Sequence, residues 1–553
     1  MREPGTRTNS LVTHARRHPR GAGSLIAAAV GFAMVFAPAP ALAANSVYWA
    51  WATLSYDNSS VTAGGISFAN LDGSAGQGLT VSGAPVDHPL GVAIDYATGM
   101  IYWANFGSTT NYCNGPLSGG NTISFANLDG TDGGTLNTSG ATVSGPDGLA
   151  IDPAAGRVYW ANDHANTISY SSLNGSGGHD LNTAGATVDC PAGVAVHPAG
   201  GRVYWTNFKG NTISYANLDG SGGGDLPISG ATVSGPYGLA IDAAAGQIYW
   251  ANNIGDTIGY ANLDGSGADT LGTPGAPVSG PWGVAIDPAA GLIYWANNTG
   301  SSIAYARLNE SGGGVLGTAG APVDHPKYPA LLEAPSGAGA PVVGGGSTTG
   351  SKLSCSRGAW DSDLPESFLY RAPQRFAYNW SENGTAIFGS SSSITPSSPG
   401  SYACRVTASN YAGSTTQTSA ASTVVSNAVS ATSREVSNSG AITLEVLVHT
   451  SGTLNGTATC KQKSTRFTGS GPHRHRVTKS KSIVYGIAVL TATGAGTFKL
   501  TIKPTRTALK LLRVAKKLTV TVALAFTPTG GPISRASLNV PVSAPIASSR
   551  GQR

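Results

Sequence analysis

The chain has 553 residues, of which only 11% are charged and 76 are glycine, with a mean hydropathy near zero and a formal charge of +5. That length suggests about three domains. The composition excludes helical bundles and charged disordered chains, and favours turn-rich β structure.

In chain order, Arg16, Arg17 and Arg20 precede the apolar run SLIAAAVGFAMVF and a small-x-small Ala41-Leu42-Ala43. This is the layout of a secretory signal peptide over residues 1–44, cleaved after about Ala43. The apolar stretch Leu25 to Phe36 falls short of the ~20 residues a membrane span needs. The expected location is therefore secreted or cell surface, where disulfides are permitted. The five cysteines, Cys113, Cys190, Cys355, Cys404 and Cys460, leave at least one without an intramolecular partner.

From residue 45 the pair Tyr-Trp recurs at 48-49, 102-103, 159-160, 204-205, 249-250 and 294-295, with Trp-to-Trp steps of 54, 57, 45, 45 and 45. Periods of that size mark solenoids or propellers. Each unit holds a GLAID-like apolar run, a strand ending in YWAN, a third reading TISYANLDG, and a short fourth. Asp-Gly between strands predicts a tight two-residue turn, and four short antiparallel strands make a propeller blade. The recurring Trp49, Trp103, Trp160, Trp205, Trp250 and Trp295 read as inter-blade core.

PxGLAID, YWxN and NLDG recur together at fixed offsets, and in this they resemble the YWTD repeats of the low-density lipoprotein receptor group over about residues 45–333. The resemblance implies an all-β fold opening with a six-bladed β-propeller that has Tyr-Trp on the second strand of each blade. The motif's Asp is replaced here by Asn105, Asn162, Asn207, Asn252 and Asn297, and the receptor's cysteine-rich module has no counterpart, so the receptor's ligands are not carried over. The first blade begins directly at its Tyr-Trp strand, while DHPKYPALLE at 324–333 copies DHPLGVAID at 87–95. The last segment is thus expected to complete the first blade in a 3+1 closure that leaves no open edge.

The repeat also exposes its irregularities. From the LDG-type Asp or Asn to the next Trp is always 31 residues, whereas from Trp to that position is 23, 26, 14, 14, 14 and 14. The extra length lies in two loops, 50–65 and 104–120, on neighbouring blades. They share a face with the segments leading into the inner strands, which carry the variable letters Leu90, Asp147, Ala192, Tyr237, Trp282 and Lys327. Trp51, Tyr56, Phe106, Tyr112, Asp147, Tyr237, Trp282 and Lys327 are the candidate binding residues, with Trp51, Tyr56, Tyr237 and Trp282 expected as exposed aromatics on a concave rim. Free drift of loops is the rival explanation. Asp87-His88 and Asp324-His325 lead into adjacent blades and could hold a divalent cation, although duplication would leave the same letters; no other cofactor is expected. Cys113 and Cys190 share this face, but their separation by two blades argues against a bond.

A Gly/Ser/Pro stretch at 334–350 reads as a flexible linker. In 351–428, Cys355, Trp380, Cys404 and the Tyr402 of SYACRV resemble an immunoglobulin-type β-sandwich, which implies a Cys355–Cys404 disulfide, a core Trp and a tyrosine corner. Residues 429–545 form a further, basic β-rich domain, sandwich-like, with strands ITLEVLV, TFKLTIKP and KLTVTVALAFTP and a short helix at TALKLLRVAKK; 546–553 is expected as a disordered tail. This last module resembles β domains appended to exported actinobacterial proteins.

Charge is sharply divided: residues 45–333 hold 5 Lys+Arg against 21 Asp+Glu, and residues 431–553 hold 18 against 2. The basic domain could contact an anionic cell-wall polymer, and no nucleic acid is expected because no aromatic-basic motif is present. His473 and His475 read as solvated. The chain lacks G-x-S-x-G, H-E-x-x-H, P-loop and dinucleotide signatures. Two functions remain: an exported binding or adhesion protein whose propeller recognises a protein or glycan, or a lyase- or lactonase-type propeller enzyme with a His/Asp or metal site over the channel. The absence of a consistent inward catalytic set favours the first.

Overall fold

A computed structural model describes residues 45–54, 61–95, 98–109, 113, 115, 117–468 and 474–544. The expected signal peptide and C-terminal tail lie outside these residues, and among them no helix is long and apolar enough to cross a membrane.

Six antiparallel sheets follow one another as the blades of a propeller. Blade 1 contains Ser46–Leu54, Val61–Asn70 and Gly76–Leu79; blade 2 starts at Pro89–Asp95, blade 3 at Pro146–Asp152, blade 4 at Pro191–His197, blade 5 at Pro236–Asp242 and blade 6 at Pro281–Asp287. Blade 1 is completed by Pro326–Leu332, which pairs antiparallel with Ser46–Leu54 through Val47↔Leu331 and Tyr48↔Ala330. The 3+1 closure joins the ends of the repeat, so the ring has no free edge there.

The repeated letters explain the blades. All six Tyr-Trp tryptophans are fully buried, each removing on the order of 200 Å² from water. Their indole N–H groups reach into the preceding segment, as in Trp103 to Pro85 O (3.0 Å) and Trp160 to Thr142 O (2.9 Å). The Asn of YWxN ties the blade together without burying a charge. The Asn162 Oδ1 accepts from Ser144 N and Trp160 Nε1, while its Nδ2 donates to Thr167 Oγ1 and Ser169 Oγ. One amide therefore ties the lead-in segment, the second strand and the third strand together. The NLDG turns are longer than the expected two residues: between Val61–Asn70 and Gly76–Leu79 lie five, because Asp72 Oδ1 accepts from Ser74 N and widens the turn.

After the propeller, the stretch expected as a linker carries strands. Gly337–Gly339 pairs with Ala359–Trp360, and Val343–Gly345 with Leu353–Cys355. Two sheets of a β-sandwich are bridged by the Cys355–Cys404 disulfide, with Trp380 buried beside it and the Tyr402 hydroxyl donating to Ser398 O at 2.9 Å. A second sandwich packs the sheet of Ser430–Val436, Ile442–Val448 and Gly496–Ile502 against that of Gly452–Thr468, His475–Ala492, Lys517–Pro528 and Ser534–Ser543. The expected helix is Arg506–Ala515, capped by the Thr505 side chain, which accepts from Ala508 N.

The first sandwich also sends a segment into the base of the propeller. Leu369–Tyr370 adds a parallel strand to Pro326–Leu332, with Leu331 N bonded to Phe368 O and Glu333 N to Tyr370 O. The Ser367 hydroxyl donates to Ile241 O on blade 5. Phe368 and Leu369 belong to the propeller core, and Phe368 is held at φ 56°, a costly conformation for an aromatic residue.

Candidate functional site

Loop 104–120 shares a face with the lead-in segments: Asp87 Oδ2 accepts from Gly120 N at its end, and Cys113 in that loop is disulfide-bonded to Cys190, just ahead of the blade 4 inner strand. The expectation against this bond is corrected. The loop crosses from blade 2 over blade 3, because near the axis two blades are separated by little more than one inner strand. The stretch 50–65 is instead largely strand, with Trp51↔Gly65 and Leu54↔Val61 paired, and its connection 55–60 lies outside the described residues. Tyr56 and Tyr112 lie outside the described residues.

Beneath the loop, the channel is filled. Leu90, Asp147, Ala192, Tyr237, Trp282 and Lys327 are all between 0 and 5% exposed, so the rim of exposed aromatics does not exist for Tyr237 and Trp282. The cause is the glycine that follows five of these letters. A Cβ at Gly91 would stand 2.5 Å from Asp147 O, and one at Gly193 2.4 Å from Tyr237 O. Without that atom the inner strands close in until the neighbouring side chains meet on the axis. Leu90, Phe106, Ala192, Tyr237, Trp282 and Tyr328 form one apolar cluster there. Tyr237 stacks on Trp282 at 3.9 Å, and the Lys327 ammonium sits 3.6 Å from the centre of the Trp282 ring. Trp51 is half-buried.

Charged groups are enclosed with these rings. Burial, then the nearby Asp163 carboxylate, pushes Asp147 up to about 8, against the opposing pull of Tyr328, Lys327 and Trp282. Burial brings Lys327 down to about 7, with Asp147 and Asp324 opposing. Burial and the Lys327 charge lower His88 to about 3, although its Nδ1 lies 2.8 Å from Gly107 O. Phe106 stands edge-on between the His88 and His164 rings, and His164 Nδ1 is 3.0 Å from Asp163 Oδ1. Asp163, His164 and Tyr328 were not singled out from the sequence. The available signal was departure from the repeat: Asp163-His164 stands where blades 5 and 6 read Asn-Ile and Asn-Thr, and Tyr328 where five copies have Gly.

The two Asp-His pairs have separate partners. Asp87 holds Gly120 N and His88 faces Gly107 O, whereas His325 pairs with its own neighbour Asp324 at 2.8 Å. Among the described residues, the three side chains of metal-binding type that converge are instead Cys113, Asp163 and Cys190, two of which are joined as the disulfide.

No family model matches the chain, and no curated protein matches it. Solved structures do. A chain of a nidogen/laminin complex is 17% identical over 52% of this chain and 98% of its own length, with a TM-score of 0.40. A protein assigned as a 6-phosphogluconolactonase from Bacteroides uniformis is 15% identical, covering 49% and 81%, at 0.34. A functionally unknown protein from Desulfotomaculum acetoxidans is 13% identical, covering 52% and 98%, at 0.34. The class defined by the sheets is a six-bladed β-propeller followed by β-sandwich domains.

Proposed function

We propose that the chain is an exported binding or adhesion protein whose propeller recognises a protein or glycan with the face bearing loop 104–120 and the connection 55–60. One observation carries this reading. The ionisable groups that an enzyme over the channel would use, Asp147, Lys327 and His88, are enclosed beneath a loop pinned by Cys113–Cys190, so the surface offered to a partner is that of the loops. Asp147, Phe106, Tyr237, Trp282 and Lys327 then act as the floor that positions the loops, and Trp51, Tyr56 and Tyr112 as candidates for contact. The YWTD-type and immunoglobulin-type readings of the two domains fit this role, and two disulfides fit an oxidising compartment.

The lyase or lactonase alternative rests on the same cluster, since displaced pKa values gather at catalytic sites. An array of glycans and extracellular proteins separates the two readings. Retention by the intact chain that is lost when residues 55–60 are deleted supports binding; turnover of a lactone panel that is abolished by Asp147→Asn supports the enzyme and overturns the proposal.

A further inference from the structure

The basic domain carries a surface that neither its packing nor the propeller reading uses. Strands Gly452–Thr468 and His475–Ala492 pair along their length, from Gly452↔Ala492 to Thr468↔His475. The neighbouring strand Lys517–Pro528 stops pairing at Cys460↔Val520. From Lys461 outwards the hairpin is a two-stranded ribbon, and every residue of 461–468 and 475–482 is exposed. Its eight cross-strand pairs extend roughly 27 Å. A two-stranded ribbon is marginal on its own, and this one has no apolar face to bury.

Its charge has one sign. Between 461 and 482 there are seven Lys or Arg residues and no Asp or Glu. Paired residues point to the same side of a sheet, so the register Lys461↔Ser482, Lys463↔Ser480, Phe467↔Arg476 puts Lys461, Lys463 and Arg476 on one face. Gln462↔Lys481, Ser464↔Lys479 and Arg466↔Val477 put Lys481, Lys479 and Arg466 on the other. Arg474 lies over the Phe467 ring at the outer end. Among the described residues none of these cations has a carboxylate within ion-pair range; the domain's Lys499–Glu445 pair is off the ribbon.

We propose that this ribbon is a docking arm for a flexible, linear polyol-phosphate polymer of the cell envelope. Same-face neighbours such as Lys461 and Lys463 repeat about every 7 Å, a ladder suited to a chain with one negative charge per repeat. Lys and Arg both bind phosphate, as point charge and as fork respectively. Equal charge on both faces fits a chain that wraps the ribbon, whereas a ribbon seated in a duplex groove turns one face to the bases and the other to solvent. The envelope source follows from the export segment read in the sequence, and the inference does not depend on the propeller's partner.

The test uses the full secreted chain and immobilised poly(glycerol phosphate), with duplex DNA as a second surface. The quadruple variant K461Q/K463Q/K479Q/K481Q should lose about tenfold or more in affinity at physiological salt and show a shallower salt dependence, since fewer counterions are released. A control quadruple of exposed cations elsewhere in the domain, K503Q/R506Q/K510Q/R513Q, should bind nearly as the parent does. All eight positions are exposed, so both variants should fold, which circular dichroism checks. The proposal is overturned if the parent does not bind the polymer, if the two variants lose affinity equally, or if duplex DNA is bound more tightly than the polymer.

Discussion

Cys113 on blade 2 is disulfide-bonded to Cys190 at the start of blade 4, with their Cα atoms 5.3 Å apart and a sequence separation of 77. The bond ties a loop that begins at the rim to the axis of the ring, and it encloses blade 3. On the chain-entropy estimate, closing such a loop contributes roughly 4.5 kcal/mol. Cys113→Ser, compared with the parent by urea unfolding without reductant, should lose a stability of that order and become sensitive to proteolysis within 104–120. Unchanged stability would mean that the loop is held by packing on Phe106 and Leu117 alone.

At the opposite end of the channel, Glu333 is pushed up to about 7 by burial, by the Asp287 charge and by its hydrogen bond with Asp287, with Arg371 opposing. A carboxylate raised above its unfolded value holds its proton more tightly when folded, so stability falls as pH rises from about 4.5 to about 7. Glu333→Gln keeps a neutral partner for Asp287 and should flatten that part of the stability profile. An unaltered slope between the two proteins would assign it to other groups.

How much of this was legible depends on period. The blades were, because a unit repeated six times shows its constant positions, and the copy of DHP at 324–326 exposed the closure. The Cys355, Trp380, Tyr402 and Cys404 spacing likewise pointed to the disulfide. What the repeat did not reveal was distance across the axis. In sequence, Tyr237 and Trp282 read as parts of segments leading into the inner strands, whereas each is the second residue of its strand, and whether that position faces water depends on how closely the strands approach. That is set by the glycine after five of the six letters, which reads as a turn residue in a sequence. The same short axial distance allows Cys113 to reach Cys190. Nothing periodic marks residues 364–370, so their place in the propeller base had no signature at all.

The repeated Asn makes a further test of the blade. Asn162 is buried and joins four groups on three segments. Asn162→Leu would orphan Ser144 N, while the Trp160 indole N–H keeps Thr142 O and the Ser169 hydroxyl keeps Asp180. At about 1–3 kcal/mol for a buried group left unsatisfied, the expected loss is on the order of 1–3 kcal/mol by thermal or urea melting. Asn162→Asp keeps both accepted bonds and lets the Thr167 hydroxyl turn to donate, but buries a charge and loses the bond to Ser169, whose hydroxyl already donates to Asp180, so it should fall between parent and Leu. Equal losses for Asp and Leu would show that the site requires a neutral amide rather than an acceptor alone.

The segment at the propeller base predicts that two domains unfold as one. Leu369 is fully buried in the propeller core while its chain belongs to the sandwich, and the backbone bonds of Leu331 and Glu333 depend on Phe368 and Tyr370. The left-handed conformation at Phe368 is kept because the ring is lodged in that core. Truncating both side chains, Phe368→Ala with Leu369→Ala, removes apolar contacts worth about 2–5 kcal/mol each without touching the sandwich's own Cys355, Trp380 and Cys404 core. Calorimetry of the parent should give one transition for propeller and first sandwich. The double variant should give two, with the propeller transition moved down and the sandwich near its former position. A single transition in the variant, displaced by less than about 2 °C, would mean that the docked segment contributes little to the ring.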